Sequence, residues 1–377
     1  MKVFNPYLRI ITGFLSWRLL LLILILVAPR FFPLKYHLLG ADRETVRQKP
    51  LLWVHANFDG EHYVGIAKFG YRLAEQAFFP LYPNLIKKLS PLFNSNSVLA
   101  GIVISNISFP IALIFLYKLI KLDYSNKVAL LTLLFLLIFP TSFYFGAVYT
   151  ESLFLALTVV SFYAARKGRW GIAGVFGMLA ASTRFIGIFL FPALLAEWLI
   201  QRKTSKKTNL GSLLSICLIP LGLIYYMGFL KSTTGDPFLF ARSLTHYGEF
   251  RSQKVILIYQ VFWRYLKMLV TVDKSSEIYP IIIVEVITGI VFLVTSVLSL
   301  ARQRLSYSLF NLLAFLTPTL TGSFVSLPRY VLICFPSFLL IAQFFLSHKK
   351  LTLVYFLIST LTLFYLWMRF SMGYWVA

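Results

Sequence analysis

Three observations predict an all-α, polytopic membrane fold for this chain. Hydrophobic residues make up 59% of its 377 positions and charged residues only 13%, whereas soluble globular proteins carry about 25% charged residues. Apolar stretches close to the ~20 residues that a helix needs to cross the hydrocarbon core recur along the sequence. Lys and Arg cluster in the short connections between these stretches, as in the inner loops of membrane proteins. We therefore predict one membrane-embedded domain over residues 1–377.

Eleven apolar segments mark the predicted membrane helices. With the N-terminus placed inside, every inner connection is basic, as at Arg166 and Lys167 or at Lys349 and Lys350. This excess of positive charge predicts a cytoplasmic N-terminus. The segments are 15–33, 99–117, 128–145, 151–165, 170–186, 187–201, 211–230, 280–300, 307–325, 329–346 and 351–369.

Two long connections, about 34–98 and 231–279, then lie on the outer side of the membrane. They contain nine of the thirteen carboxylates, so they are the first place to expect chemistry. Apolar and aromatic residues at helical spacing predict a helix within 60–78 and another within 255–270. Amphipathic helices of this kind lie in the membrane interface. The nine carboxylates are Asp42, Glu44, Asp59, Glu61, Glu75, Asp236, Glu249, Asp273 and Glu277.

The net charge of +23 does not indicate a nucleic-acid partner. The basic residues fall in short clusters between apolar stretches, whereas a nucleic-acid-binding protein carries them on one face or along one helix. We interpret them as charges that orient the chain in the bilayer. Membrane lipids are therefore the predicted surroundings, and no nucleic acid is expected.

The segment WVHANFDGEHYVGIAKFGYRLAEQAFFPLYP concentrates side chains with catalytic chemistry. Asp59, Glu61, His62 and Tyr63 stand close together just outside the membrane, where a carboxylate can deprotonate an attacking hydroxyl. Two simpler interpretations stay open. Asp59 could cap a helix N-terminus. Asp59 and Glu61 could also form a metal-binding pair, although two acids at this spacing are common by chance.

Charged residues near the outer ends of apolar segments are a second signal, because intramembrane charges are costly and usually functional. Glu151 stands in PTSFYFGAVYTESLF, Arg184 in LAASTRFIG and Arg329 in SFVSLPRYVLICFP. An arginine at this depth can bind a lipid phosphate through two parallel hydrogen bonds. Arg184 could instead extend its long side chain to the interface.

Six ordered blocks stand between about residues 50 and 345: FDGEHYVGIAKFGY, AFFPLYP, PTSFYFGAVYTESLFLAL, LAASTRFIG, TGDPFLF and LPRYVL. Through these blocks the chain resembles the PIG-V family of mannosyltransferases and their bacterial relatives. The resemblance implies a GT-C-type fold and an inverting transfer from a polyprenyl-phosphate sugar, with mannose expected and Asp59 as the general base. It also implies a set of substrate-binding residues, namely Glu61, His62, Tyr63, Tyr82, Glu151, Arg184, Arg329 and Tyr330.

The implied donor bears on cofactors. Its leaving group is already a lipid phosphate, so electrostatic stabilisation by arginine could replace the metal that nucleotide-sugar donors need. We therefore expect neither metal nor cofactor. The acceptor stays open among a glycolipid, a glycan and a protein, and the expected location is a bacterial plasma membrane with the active site outside.

Two rival functions also stay open. A transporter or flippase of lipid-linked sugars would explain charges within the membrane as a substrate path, but it would not explain an acid-rich first loop outside. A GT-C enzyme for another sugar, such as glucose, arabinose or galactose, would use the same residues. A non-catalytic scaffold would leave the ordered acidic and aromatic blocks without a purpose.

Overall fold

The computed structural model describes residues 5–35, 48–204, 208–246, 252 and 254–376. These residues form helices and no strand, which confirms the predicted all-α fold. The predicted loop carboxylates Asp42, Glu44 and Glu249 lie outside the described residues. The α-helices are Pro6–Val27, Pro50–Trp53, Asp59–Phe69, Leu81–Leu89, Ser97–Ile120, Asn126–Ile138, Glu151–Arg166, Trp170–Ala181, Leu190–Thr204, Leu210–Ile216, Ile219–Thr234, Leu239–Arg242, Ile258–Thr271, Tyr279–Arg302, Leu305–Thr319, Leu327–Tyr330, Phe335–Leu346 and Lys349–Ser371.

The described residues contain six helices that are long and apolar enough to cross a membrane. A seventh span results if Leu327–Ile333 and Phe335–Leu346, which meet at 87°, are counted as one. The chain is therefore an integral membrane protein, and the predicted count of eleven spans is not confirmed. The six helices are Pro6–Arg30, Ser97–Ile120, Phe185–Thr204, Leu210–Thr234, Tyr279–Arg302 and Lys349–Ser371.

The four other predicted segments form shorter helices that stop at one end of the bundle. The longest of them has 16 residues and covers about 24 Å, less than the ~30 Å of a hydrocarbon core. Irregular segments replace the missing helical turns, and these segments contact one another. Thr141 Oγ1 donates to the Pro328 carbonyl at 2.6 Å, and Arg184 donates to Thr150 Oγ1 at 3.3 Å. Such backbone is tolerated at membrane depth where it lines a cavity.

We call this the loop end, because the two long loops belong to it. The first-loop helix, Asp59–Phe69, is shorter than the predicted 60–78, since Gly70 ends it with a φ of +80°. The second-loop helix, Ile258–Thr271, agrees with the predicted 255–270. It exposes an apolar face in which the Trp263 side chain is 71% accessible, as expected for a helix in the membrane interface.

Candidate active site

A cavity of about 1090 Å³ opens at the loop end, between the two long loops. Pockets for small molecules typically measure about 300–1,000 Å³, so this cavity is large for its class. Five of the predicted site residues lie on its wall, namely Asp59, Tyr63, Arg184, Arg329 and Tyr330. Much of the remaining wall is apolar and includes Leu223, Met227, Phe240, Met268 and Ile281.

Asp59 is the first residue of the first-loop helix. Phe58 before it has a φ of +56°, a strained conformation for a residue with a side chain. Asn57 fixes this bend, because its side chain donates to the Phe370 carbonyl at 2.7 Å and its carbonyl accepts from Tyr149 at 2.8 Å. No side chain caps the helix, so the Asp59 carboxylate is turned to another partner.

That partner is Arg329, which lies 270 positions along the chain. Arg329 Nη1 donates to Asp59 Oδ2 at 2.5 Å, and Arg329 Nε lies 3.6 Å from Glu151 Oε1. Arg184 Nη1 donates to the same Glu151 oxygen at 2.7 Å. Two carboxylates and two arginines therefore alternate and balance in charge. We call these four residues the loop-end cluster.

Aromatic rings enclose the two arginines. The Tyr330 ring centre lies 5.0 Å from the Arg329 guanidinium carbon and 5.5 Å from that of Arg184, so this ring contacts both cations. Tyr144 and Tyr149 contact Arg329 from further sides. Cation–π contacts of this kind add about 0.5–2 kcal/mol each. They keep both guanidinium groups in place at the cavity wall.

Two predicted tyrosines have different positions. Tyr63 lies on the cavity wall, with its hydroxyl 3.4 Å from Thr150 Oγ1. Burial, followed by the neighbouring Glu151 and Asp59, raises the pKa of Tyr63 above its ordinary value, so its hydroxyl stays protonated. Tyr82 is fully buried and donates to the Gly101 carbonyl at 3.1 Å. It packs edge-on against the Tyr63 ring and does not line the cavity.

Glu61 and His62 are also absent from the cavity wall. His62 Nδ1 lies 3.1 Å from Glu75 Oε1, and Arg72 makes several hydrogen bonds to the same carboxylate. Burial acts to raise the pKa of Glu75, but the hydrogen bonds from Arg72 and His62 outweigh it and hold the pKa below its ordinary value. These contacts fasten the chain that follows the first-loop helix.

Polar residues without a predicted role line the cavity where the second-loop helix and the Tyr279–Arg302 helix form its wall. Arg264, Tyr265 and Glu285 line the cavity there. Glu285 is almost fully buried in the Tyr279–Arg302 helix, and a carboxylate within an apolar segment is a visible signal. Arg264 and Tyr265 gave no such signal, since they lie among other aromatic and basic residues of the second-loop helix.

The alternative of a metal-binding pair at Asp59 and Glu61 gains no support from further ligands in the part of the chain that the structure describes. Among the described residues, no three His, Cys, Asp or Glu side chains are grouped so that they could hold a metal ion. The expectation that no metal takes part stays a prediction.

Comparison with protein families gives a partial match. Residues 78–229 match a family model described as dolichyl-phosphate-mannose-protein mannosyltransferase. The match covers less than half of the chain; it includes Glu151 and Arg184 and leaves out Asp59 and Arg329. The PIG-V resemblance stays a prediction. No curated protein matches the sequence significantly.

Two solved structures align with most of this chain. ArnT from Cupriavidus metallidurans, bound to undecaprenyl phosphate, aligns with 88% of it at 15% identity and a TM-score of 0.48. The Archaeoglobus fulgidus oligosaccharyltransferase, in complex with zinc and sulfate, aligns with 94% of it at 12% identity and a TM-score of 0.41. The aligned region spans 60% of the ArnT chain and 53% of the oligosaccharyltransferase chain.

Proposed function

We propose that this protein is a GT-C-type glycosyltransferase that moves a hexose, with mannose as the first candidate, from a polyprenyl-phosphate sugar to an acceptor outside the membrane. The observation that carries the proposal is the position of Asp59 on the wall of a large cavity beside the buried Arg329, with the partly buried Arg184 on the same wall. The partial match to a mannosyltransferase family model supports the same class of reaction. So does the order of the six sequence blocks.

Asp59 is the proposed general base. Its Oδ2 accepts a hydrogen bond from Arg329, and its Oδ1 accepts none from the described residues. Oδ1 is therefore available to accept a hydrogen bond from the hydroxyl group of the acceptor substrate. As the acceptor oxygen bonds to the anomeric carbon, the bond from that carbon to the phosphate oxygen breaks. The lipid phosphate leaves with the electron pair, the proton passes to Asp59, and the configuration inverts.

Arg329 and Arg184 are the proposed binding groups for the donor phosphate. Negative charge grows on the phosphate as the sugar leaves, and preorganised donors at that point lower the barrier. Glu151 lies between the two arginines, with its Oε1 2.7 Å from Arg184 and 3.6 Å from Arg329, so it spaces them. The apolar wall with Leu223 and Met227 would hold the first prenyl units. No metal or cofactor is part of the proposal.

The proposed setting is a bacterial plasma membrane, with a cytoplasmic N-terminus and the loop end outside. The basic inner connections predicted from the sequence support this orientation. The acceptor is a glycolipid, a glycan or a protein that reaches the loop end. A donor and an acceptor can meet there because the cavity lies between both long loops.

The experiment is transfer in liposomes that contain the purified protein, radiolabelled polyprenyl-phosphate mannose and a lipid extract of the host. The wild type, Asp59→Asn and Asp273→Asn are compared with and without EDTA. Asp273→Asn is a matched control, because it makes the same chemical change on an exposed turn of the second loop. Parallel reactions with glucose, galactose and arabinose donors test the choice of sugar.

We expect a labelled product with the wild type and with Asp273→Asn, unchanged by EDTA. Loss of the general base should slow transfer by about 10²–10⁴-fold in Asp59→Asn. If label crosses the bilayer without forming a product, and Asp59→Asn does not change this, the transferase proposal fails in favour of a flippase. Label transferred only from another sugar would retain the reaction and replace mannose.

A further inference from the structure

The turn that precedes Arg329 is irregular. Residues 320–326 join the Leu305–Thr319 helix to the short Leu327–Tyr330 helix. Ser326 has a φ of +64°, in the left-handed region that residues with a Cβ rarely adopt. The Arg329 N–H donates to the Ser326 carbonyl at 3.0 Å. The position of Arg329 therefore depends on how this strained turn is held.

Two side chains from the second-loop region hold the turn. The Ser326 N–H donates to Glu285 Oε1 at 3.2 Å, and the Phe324 N–H donates to the Tyr265 hydroxyl at 3.1 Å. The Tyr265 hydroxyl in turn donates to Glu285 Oε2 at 2.8 Å. Burial and the neighbouring Glu285 raise the pKa of Tyr265, so it keeps the proton that it donates. Without these acceptors, two backbone N–H groups would be left without partners, at a cost of about 1–3 kcal/mol each.

The Phe324 ring fixes the same turn by packing. Its centre lies 4.8 Å from that of Phe262 and 4.9 Å from that of Tyr265, both on the second-loop helix. On the other side it lies against Gly289 of the Tyr279–Arg302 helix, where an added Cβ would be 3.0 Å from the ring. A methyl group at position 289 would therefore push the ring by a few tenths of an ångström. The second-loop helix and the Tyr279–Arg302 helix therefore pack against the turn from two sides.

We propose that Glu285 and Tyr265 are positioning residues, which set the Ser326 turn and thereby orient Arg329 toward Asp59 and the donor phosphate. The inference rests on the proposed function. Its physical basis is that Arg329 is shared between Asp59 at 2.5 Å and Glu151 at 3.6 Å, so a small shift of the turn changes which carboxylate it binds. Neither positioning residue needs to touch the reacting atoms.

The test separates positioning from general stability through kinetics. Glu285→Gln replaces one carboxylate oxygen by a donor, and Gly289→Ala pushes on Phe324 without changing any charge. An ångström of misplacement can cost up to about 10²-fold in rate, so we expect kcat to fall by about 10–100-fold. We expect the KM for the donor to change by less than about threefold, because Arg184 and the apolar wall still hold the donor in the ground state, whereas the misplaced Arg329 loses contact mainly in the transition state. Gly228→Ala is the matched control, since an added Cβ there meets nothing within 4 Å.

Combined variants show whether the effect passes through Arg329. In an Arg329→Lys background, Glu285→Gln should cause little further loss, because residues that act as a unit are not additive. An additive loss, or an unchanged kcat in both single variants, would overturn the inference. Tyr265→Phe removes only one hydroxyl and is the milder variant if Gly289→Ala does not fold.

Amide hydrogen exchange tests the turn independently of catalysis. Exchange in residues 323–330 should rise by about tenfold or more in Glu285→Gln and Gly289→Ala, since opening is easier where a buried partner is lost. It should not rise in Gly228→Ala. Unchanged exchange in both variants overturns the inference even if transfer is observed. Absence of transfer by the wild type defeats the proposed function and leaves this exchange result to be judged separately.

Discussion

Two charged clusters, each of two carboxylates and two arginines, lie at opposite ends of the helix bundle, and each contains one buried glutamate, Glu151 or Glu197. The Glu151–Arg166 helix joins them, with its first residue in one cluster and its last residue in the other. We call the second one the opposite-end cluster; it consists of Asp123, Arg166, Glu197 and Arg304. The two clusters have the same formal charges and differ in how completely those charges are paired.

The opposite-end cluster is closed. Glu197 has no solvent exposure and accepts hydrogen bonds from Arg304 Nε at 2.6 Å, Arg304 Nη2 at 2.8 Å, Ser306 at 2.8 Å and Gln201 at 2.7 Å. Asp123 receives both terminal nitrogens of Arg166, at 2.5 and 2.6 Å. None of these residues lines the cavity. A buried charge is tolerated when it is paired and its hydrogen-bonding capacity is filled, and Glu197 meets both conditions.

The loop-end cluster is open by comparison. Among the described residues, Glu151 Oε2 and Arg329 Nε are buried without a hydrogen-bond partner, and Asp59 Oδ1 accepts no hydrogen bond. Buried polar atoms without a partner are rare in native proteins and need an explanation. Here the cluster borders a cavity of about 1090 Å³. The contrast agrees with a role of the closed cluster in joining helices and with the ligand-binding role proposed for the open one.

The sharpest test of this contrast is Arg329→Gln in the open cluster. Loss of a preorganised cation at the developing charge should slow transfer by about 10²–10³-fold. Stability should fall by less than in a variant of the closed cluster, because Glu151 keeps Arg184 as its partner at 2.7 Å and Asp59 faces the cavity, so the main loss is that of the aromatic contacts of Arg329. Initial rates and the midpoint of thermal unfolding in detergent measure the two effects. A large loss of stability with transfer rates near those of the wild type would contradict the distinction.

Glu197→Gln in the closed cluster should behave in the opposite way. Removing the buried carboxylate leaves Arg304 without a charged partner among the described residues, at a cost of up to about 3–5 kcal/mol, whereas Arg166 keeps Asp123 as its partner. We expect a lower unfolding midpoint and less folded protein in detergent. The kcat per folded molecule should stay near that of the wild type, because the residue lies at the end away from the cavity. A kcat reduced as strongly as in Arg329→Gln would remove the contrast.

The helical membrane fold could be predicted from composition and hydropathy, but the number of spans could not. The stretch 128–145 is apolar throughout, yet its helix ends at Ile138, just before Pro140. A hydropathy pattern shows which residues are apolar, but it does not show at which residue the helix ends. Only tertiary structure shows that several such ends meet at one cavity, where irregular backbone is stable.

Several residues of the cavity wall could be singled out from the sequence, but their contacts could not. Asp59, Arg184 and Arg329 stood out as charges beside apolar segments, and all three lie on the cavity wall. No local pattern connects Asp59 with Arg329, because they are 270 positions apart. Glu285 was a visible intramembrane charge, but its role depends on the left-handed turn at Ser326. That turn has no sequence signature, since a serine rather than a glycine occupies it.

A third set of charges tests whether the effect of a mutation depends on where the charges lie or on how completely they are paired. Glu75, Arg72 and His62 lie at the loop end, like the open cluster, but the Glu75 carboxylate is closed by several hydrogen bonds. If complete pairing of the charges determines the effect, Glu75→Gln should leave kcat nearly unchanged and lower stability by about 1 kcal/mol, as for an ordinary hydrogen-bonded group. If location decides, the variant should lose activity as Arg329→Gln does. Initial rates distinguish the two.

Acid gives the same carboxylate a second and smaller test. The pKa of Glu75 in the folded protein is below its ordinary value, so the unfolded chain binds the proton more readily. Its contribution to stability is present above the ordinary glutamate pKa of about 4.3 and is lost as the pH falls through the lower folded value. The difference in unfolding midpoint between wild type and Glu75→Gln should therefore be constant above that pKa. It should shrink toward zero as the pH falls below it. A difference that widens from pH 5 downward would show that the carboxylate is not held in its charged form, and that the closed set at the loop end resembles the open one.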